Sequence, residues 1–332
     1  MYSQDIHSVE KQKWTETSIK EYSSRLMENN VPVIFDVEHL RRLIKIKKNV
    51  FYNILFKIDY QYHEIDIPKK RLGEFRTLSL PSKKVKVMQR WILDNVLYNI
   101  ECRNEVTGFV PGKSIVDNAK PHISKDYILK LDIEDFFPSI NGYDVFLLFN
   151  NLGYTNKLSS VMSRICVFKD KLPQGGPSSP YIANLVCRNL DDRINSICKT
   201  HSLNYSRYAD DITISGNKKV CELKMDFISI IEEEHFSINW KKVRILKNGY
   251  RKRVTGIVVN EKLSVPKEII RDMRKVIYFI NKFGLNSHME KTGIIERSNY
   301  KEYLYGQARY IYMIDKNYGK KFIAQLELIN WD

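Results

Sequence analysis

The chain has 332 residues, 43% of them hydrophobic, which allows a sizeable core in two or three subdomains and excludes a disordered chain. Its 54 Lys and Arg outnumber 39 Asp and Glu, and the formal charge of +15 favours a polyanionic partner, nucleic acid first. No apolar run reaches the roughly 18–20 residues of a membrane span, the segment Met1 to His7 lacks the apolar core of a signal peptide, and the five cysteines, Cys102, Cys166, Cys187, Cys198 and Cys221, show no Cys-x-x-Cys spacing. The expectation is a cytoplasmic protein with reduced cysteines, no zinc and no membrane contact.

In chain order, Val37, Leu40, Leu43 and Ile44 recur at helical spacing and predict N-terminal helices within residues 1–45. The stretch from Ile65 to Pro81 reads as two short strands around a basic turn containing Gly73. Its Lys69, Lys70 and Arg76 are each either solvated or anion-binding, and the guanidinium fork of Arg76 suits a polyphosphate by geometry as well as charge. Gly108 to Ile115 contains Gly-Lys-Ser but not the glycine spacing of an ATPase phosphate loop.

The segment from Tyr127 to Ile140 begins as an apolar strand that Asp132 interrupts. A buried carboxylate needs a cation, a basic partner or a functional reason. Glu134 shares the face of Asp132 if the strand continues, whereas Asp135 points away and ends it. From Leu172 to Pro180 a turn leads into a helix, with Ser179 suited to its N-cap and Pro180 to its first turn. Ile182, Leu185, Val186, Leu190, Ile194 and Ile197 predict one buried helix from there. Gly175 and Gly176 either punctuate a loop or let a flat or charged ligand approach the helix N-terminus.

Tyr208-Ala209-Asp210-Asp211 lies between two strand-like runs, Leu203 to Tyr208 and Ile212 to Ser215, so two adjacent carboxylates occupy a hairpin tip. By themselves they are either a solvated acidic turn or the oxygen ligands of a hard cation. Paired beside the strand of Asp132, they bring together three carboxylates, a set able to hold two Mg²⁺ about 3.5–4 Å apart for phosphoryl transfer. Beyond them, Lys241, Lys242, Arg244, Lys247, Arg251, Lys252 and Arg253, with Trp240 and Tyr250 interleaved, form either an exposed charged edge or an RNA-binding surface with stacking platforms. Ile269, Ile270, Met273, Val276, Ile277 and Ile280 share one helix, and Tyr303 to Tyr312 predict another whose tyrosines face either a core or a duplex.

Together and in this order, the Asp132 strand, the Gln174-Gly175 loop and the Asp210-Asp211 turn resemble the palm motifs of reverse transcriptases. The resemblance implies an α+β right-hand polymerase fold: an N-terminal helical segment at 1–45, fingers at 46–125, a palm at 126–262 with a fingers-side insertion at about 141–175, and a helical thumb at 263–332. The palm's antiparallel sheet would bear Asp132, Asp210 and Asp211 as catalytic ligands of two Mg²⁺ ions, with the backbone carbonyl of Ile133 as a further ligand. Arg76, Lys69, Lys70, Phe137, Gln174, Gly175 and Lys242 would bind the incoming dNTP, Phe137 excluding a ribose 2′-hydroxyl. Gly176 departs from the alanine common in the family, which is expected to loosen the loop.

Two further segments resemble the signatures of bacterial retron reverse transcriptases: Asn118-Ala119-Lys120-Pro121-His122 matches Asn-Ala-x-x-His, and Val254-Thr255-Gly256 matches Val-Thr-Gly. That family copies part of its own structured non-coding RNA from a guanosine 2′-hydroxyl into a branched RNA–DNA hybrid, msDNA, and serves in phage defence with an effector protein. Its RNA contacts would fall here on Asn118, His122, Arg244, Lys247, Arg251, Arg253 and Thr255, although His122 equally suits a hydrogen-bonded residue that pins a loop. The C-terminal helices leave no room for a fused RNase H, so template removal is expected from elsewhere. A group II intron-like or free-standing reverse transcriptase should lack both signatures, and an RNA-binding scaffold of a defence complex needs no intact carboxylate set.

Overall fold

The computed structural model of the chain describes residues 14–68, 73, 75–293 and 299–331, so Lys69 and Lys70 lie outside the described residues. Two helices open it, Glu16–Glu28 and Val37–Ile44, started by Thr15 and Asp36, whose side chains accept from Ser18 N and His39 N. Strands β1 (Tyr62–Pro68) and β2 (Phe75–Pro81) follow as a separate antiparallel ribbon. Ser82 then caps the helix Lys83–Asn95.

The central sheet is built from β3 (Tyr127–Asp132), β4 (Asn204–Tyr208), β5 (Asp211–Gly216) and β6 (Arg244–Leu246). Its strand order is β4-β5-β3-β6, antiparallel throughout. Because side chains alternate, Leu129, Leu131, Tyr205, Ile212 and Ile214 enter the main core, which the flanking helices complete with Phe149, Leu158, Ile165, Leu190, Ile194 and Phe227. The opposite face carries Asp132, Ser206, Asp211, Thr213 and Ser215. A small ribbon, β7 (Arg253–Val254) with β8 (Ile257–Val258), covers the far end of that face, where Val254, Ile257 and Val259 pack on Ile128 and Ala119.

The last four helices, Lys267–Phe283, Leu285–Thr292, Tyr300–Ile314 and Lys316–Glu327, enclose a core of their own around Ile270, Met273, Ile277, Leu304, Ile311 and Phe322. The structure thus has the α+β right-hand polymerase fold with its antiparallel palm sheet.

Two sequence expectations are corrected. The buried helix expected from Ile182 to Ile197 is two helices, Ser179–Val186 and Arg188–Thr200, because the chain turns at the fully buried Cys187 while the apolar spacing runs on through it. Its N-cap is Ser178 rather than Ser179.

Candidate active site

The acidic turn is held from beneath. Tyr208 and Asp211 face each other across β4 and β5, leaving Ala209 and Asp210 as the connection, with Ala209 in the left-handed region at φ +56°. Gly108 fits against it so closely that a Cβ there would lie 2.6 Å from Ala209 N. Under the turn, the guanidinium of Arg207 has no exposed surface. It donates from Nε and Nη2 to the two oxygens of Asp191 at 2.7 Å each, and from Nη1 to Asn184 Oδ1 at 3.1 Å and to Ala209 O at 3.2 Å. Tyr205 donates to the same carboxylate at 2.6 Å, and Asn184 donates to Gly108 O at 2.8 Å. The buried charge is fully partnered, and one of its bonds fixes the residue preceding Asp210. Sequence reasoning missed Arg207 and Asp191; the signal was that Arg207 shares the core-facing parity of Tyr205.

The three carboxylates come from adjacent strand ends. Asp132 closes β3 directly opposite Asp211, which opens β5, and Ile133 N–H donates to Asp210 O at 3.1 Å. Asp132 O accepts from Asn239 N at 2.9 Å, which fixes the end of the strand. Burial raises the pKa of Asp132, opposed by Lys242, whose Nζ lies 2.8 Å from Oδ2. Burial, then the charge of Asp132, pushes Asp210 up to about 6. Among the described residues no three His, Cys, Asp or Glu side chains are disposed to hold a metal ion as they stand. The donor set nevertheless fits a hard cation: all three groups are carboxylates, they repel one another, and an ammonium already occupies an oxygen of the most buried one.

Beside them, Phe137 is half-buried, its ring centroid 5.4 Å from Phe136 and 6.4 Å from Phe109, and Phe109 lies 6.1 Å from Tyr208. The Gln174-Gly175 loop rests on β2, where Ser79 N donates to Gln174 O at 2.9 Å. Gly175 needs to be glycine, since its φ is +135° and a Cβ would meet Ser79 O at 3.0 Å. At Gly176 an alanine Cβ would lie 2.7 Å from Ser179 Oγ, so the departure from alanine has a steric counterpart. Arg76 is exposed on β2, opposite Ile67.

The residues expected to contact RNA divide. Arg244, Lys247 and Arg251 are exposed, and Arg251 and Arg253 both pair with Glu268. Asn118 and His122 are corrections: neither has any exposed surface, so neither can touch RNA without the fold opening. Their polar atoms are used internally, as is the half-buried Thr255, which donates to Ile115 O at 3.1 Å. Lys252, part of the basic run, is also buried, donating to Lys125 O and Asn248 Oδ1 at 2.5 Å each.

An antiparallel palm whose strand ends juxtapose three carboxylates, with Phe137 joined to their turn through Phe109 and Tyr208, fits the class of template-directed, nucleotidyl-transferring polymerases. The pattern of the family described as reverse transcriptase (RNA-dependent DNA polymerase) matches residues 67–258. The Retron Ec86 reverse transcriptase of Escherichia coli is 37% identical over 260 residues, covering 77% of this chain and 81% of that protein. The Retron Mx162 reverse transcriptase of Myxococcus xanthus is 33% identical over 309 residues, covering 81% and 61% respectively. This chain belongs to the bacterial retron reverse transcriptases and is an RNA-directed DNA polymerase. Its family uses divalent metal ions, and it takes an RNA template. No described helix is long and apolar enough to cross a membrane.

Proposed function

We propose that this enzyme copies part of one dedicated, structured non-coding RNA, starting from the 2′-hydroxyl of a guanosine in that RNA and yielding a branched RNA–DNA hybrid, msDNA, and that it works with an effector protein in phage defence. The observation that carries the catalytic half of this reading is the cross-strand pair of Asp132 and Asp211 with Asp210 beside them. Asp132, Asp210, Asp211 and the backbone carbonyl of Ile133 are the groups that would hold two Mg²⁺ ions. Bound there, the ions supply activation of the primer hydroxyl and balance of charge on the leaving pyrophosphate.

The chain's own residues do the rest. Arg207 and Gly108 hold the turn, so that Asp210 and Asp211 are presented in one geometry. Arg76, with Lys69 and Lys70, binds the triphosphate of the dNTP, and Lys242 moves from Asp132 to the same phosphates when the site is charged. Gln174 and Gly175 receive the base and sugar against the Ser79 backbone, while Phe137, packed at a tilt against Phe136, closes the space a 2′-hydroxyl needs. Arg244, Lys247, Arg251 and Arg253 neutralise RNA phosphates, and recognition depends on RNA shape and unpaired elements because the deep A-form groove hides the base edges. Cytoplasmic location accords with a dedicated RNA partner made in the same cell.

Sequencing the nucleic acid that copurifies with the protein tests this. A DNA strand joined 2′–5′ to a guanosine of one RNA is the expected product. Active enzyme that yields only linear DNA on many templates contradicts it.

A further inference from the structure

His122 sits between the two strands of the catalytic hairpin, on the sheet face that also carries Asp132 and Asp211. Its Nδ1 lies 2.6 Å from Ser215 Oγ and its Nε2 2.8 Å from Ser206 Oγ. Ser206 is four residues before Asp210, and Ser215 four after Asp211. The hydroxyl of Ser206 donates its one proton to Asn118 O at 3.2 Å. The tautomer that fits this bond has Nε2–H donating to Ser206 and Nδ1 accepting from Ser215. That assignment needs a neutral ring, and burial holds the pKa of His122 down at about 3.

The chain of bonds continues. Thr107 donates to Asn118 Oδ1 at 2.8 Å, and its own N–H donates to Arg207 O at 2.9 Å. Asn118 Nδ2 reaches Thr255 Oγ1 at 3.5 Å. One buried network thus joins both short signatures to β4 and β5. Among the described residues the backbone bonds to the outer edge of β4 come from the short segment at Glu105 to Thr107 rather than from a further strand of the sheet, so a tie across the hairpin has a mechanical reason to exist.

We propose that His122 is a positioning residue for DNA synthesis: by bridging Ser206 and Ser215 it fixes the strands that present Asp210 and Asp211, and the Asn-Ala-x-x-His segment acts on catalysis through this bridge rather than by touching RNA. This rests on the carboxylate reading above.

The test replaces the bridge by apolar groups of similar shape, His122→Phe with Ser206→Ala and Ser215→Ala, so that none of the three bridging side chains is left buried and unpaired. RNA affinity, KM for dNTP, and kcat per titrated active site are measured on the full chain with its RNA. Small displacements of catalytic groups cost rates of order a hundredfold, so kcat per active site should fall at least about tenfold, while RNA affinity and KM stay within about threefold. An unchanged kcat per active site overturns the proposal, as does a tenfold loss of RNA affinity with kcat retained at saturating RNA. If circular dichroism shows the triple variant unfolded, Ser206→Ala and Ser215→Ala singly carry the same comparison, with the same outcome deciding. Asp210→Asn with Asp211→Asn, run in parallel, separates the readings: synthesis surviving there sinks the carboxylate assignment, whereas synthesis lost there but intact in the triple variant sinks the bridge alone.

Discussion

Lys242 places its ammonium 2.8 Å from Asp132 Oδ2, so a side chain 56% exposed supplies the counter-charge of a carboxylate side chain 7% exposed. An ammonium and a metal ion compete for that oxygen, and the same ammonium is the group proposed to meet the triphosphate. Lys242→Met is therefore expected to lower the half-saturating Mg²⁺ concentration and to raise KM for dNTP by roughly tenfold, the worth of one charge-assisted contact. Steady-state primer extension across a Mg²⁺ series checks both; movement of neither parameter removes Lys242 from the site.

Phe137 is held by Phe136 at 5.4 Å and by Phe109 at 6.4 Å, which leaves it little freedom to yield to a ribose. Phe137→Ala should reduce the dNTP-over-rNTP ratio of kcat/KM by at least about tenfold, one steric contact's worth of discrimination. Single-nucleotide incorporation of matched dNTP and rNTP reads this directly, and unchanged selectivity contradicts the assignment.

Arg207 and Asp191 are both buried, so removing one strands the other. Arg207→Met should cost about 3–5 kcal/mol of stability, and Arg207→Met with Asp191→Leu distinctly less, because no unpaired charge remains. Urea unfolding of the three proteins tests it. Equal losses in single and double variants would mean that packing, not charge, dominates there.

His122 makes acid costly. Its pKa is about 3 in the fold against 6.5 when unfolded, so below pH 6.5 the unfolded chain takes up a proton that the folded chain refuses. Stability from this group falls as pH drops from about 6.5 towards 3, at up to about 1.4 kcal/mol per pH unit. Compared with wild type, the His122→Phe, Ser206→Ala, Ser215→Ala variant should show a flatter acid limb by up to one proton in denaturant unfolding. Parallel limbs contradict a neutral buried imidazole.

Arg244 and Lys247 are exposed, so they are the cleaner probes of phosphate contact than Arg251 and Arg253, which Glu268 already engages. Replacing Arg244 and Lys247 by Ala should weaken RNA binding and flatten log K against log salt by about 1.4, two single-strand phosphate contacts. An unaltered slope places the RNA elsewhere.

The site was legible to the extent that it followed local pattern. The ribbon around Gly73, the acidic hairpin and the interrupted strand at Asp132 each announce themselves by alternation and turn chemistry, and the sheet then pairs Asp132 with Asp211. What lay hidden depends on partners far apart in sequence. Arg207 reads as one more surface cation until Asp191, on another element, is seen to face it. Asn118 and His122 look like ligand-binding polar residues until Thr107 and Thr255 are seen to engage the side chain of the one, and Ser206 and Ser215 that of the other. The break at Cys187 left no mark because apolar spacing persists across it, and Lys252 is buried inside a run whose other members are exposed or half-buried, which composition cannot distinguish.

The central claim is that Asp132, Asp210 and Asp211 act together in DNA synthesis. Primer extension and RNA binding by the Asp210→Asn, Asp211→Asn enzyme test it most directly. Synthesis should fall below detection while RNA affinity stays within about twofold, since two neutral amides keep a carbonyl oxygen each but lose the negative charge that balances two divalent cations. Undiminished extension by that variant would contradict the account at its root.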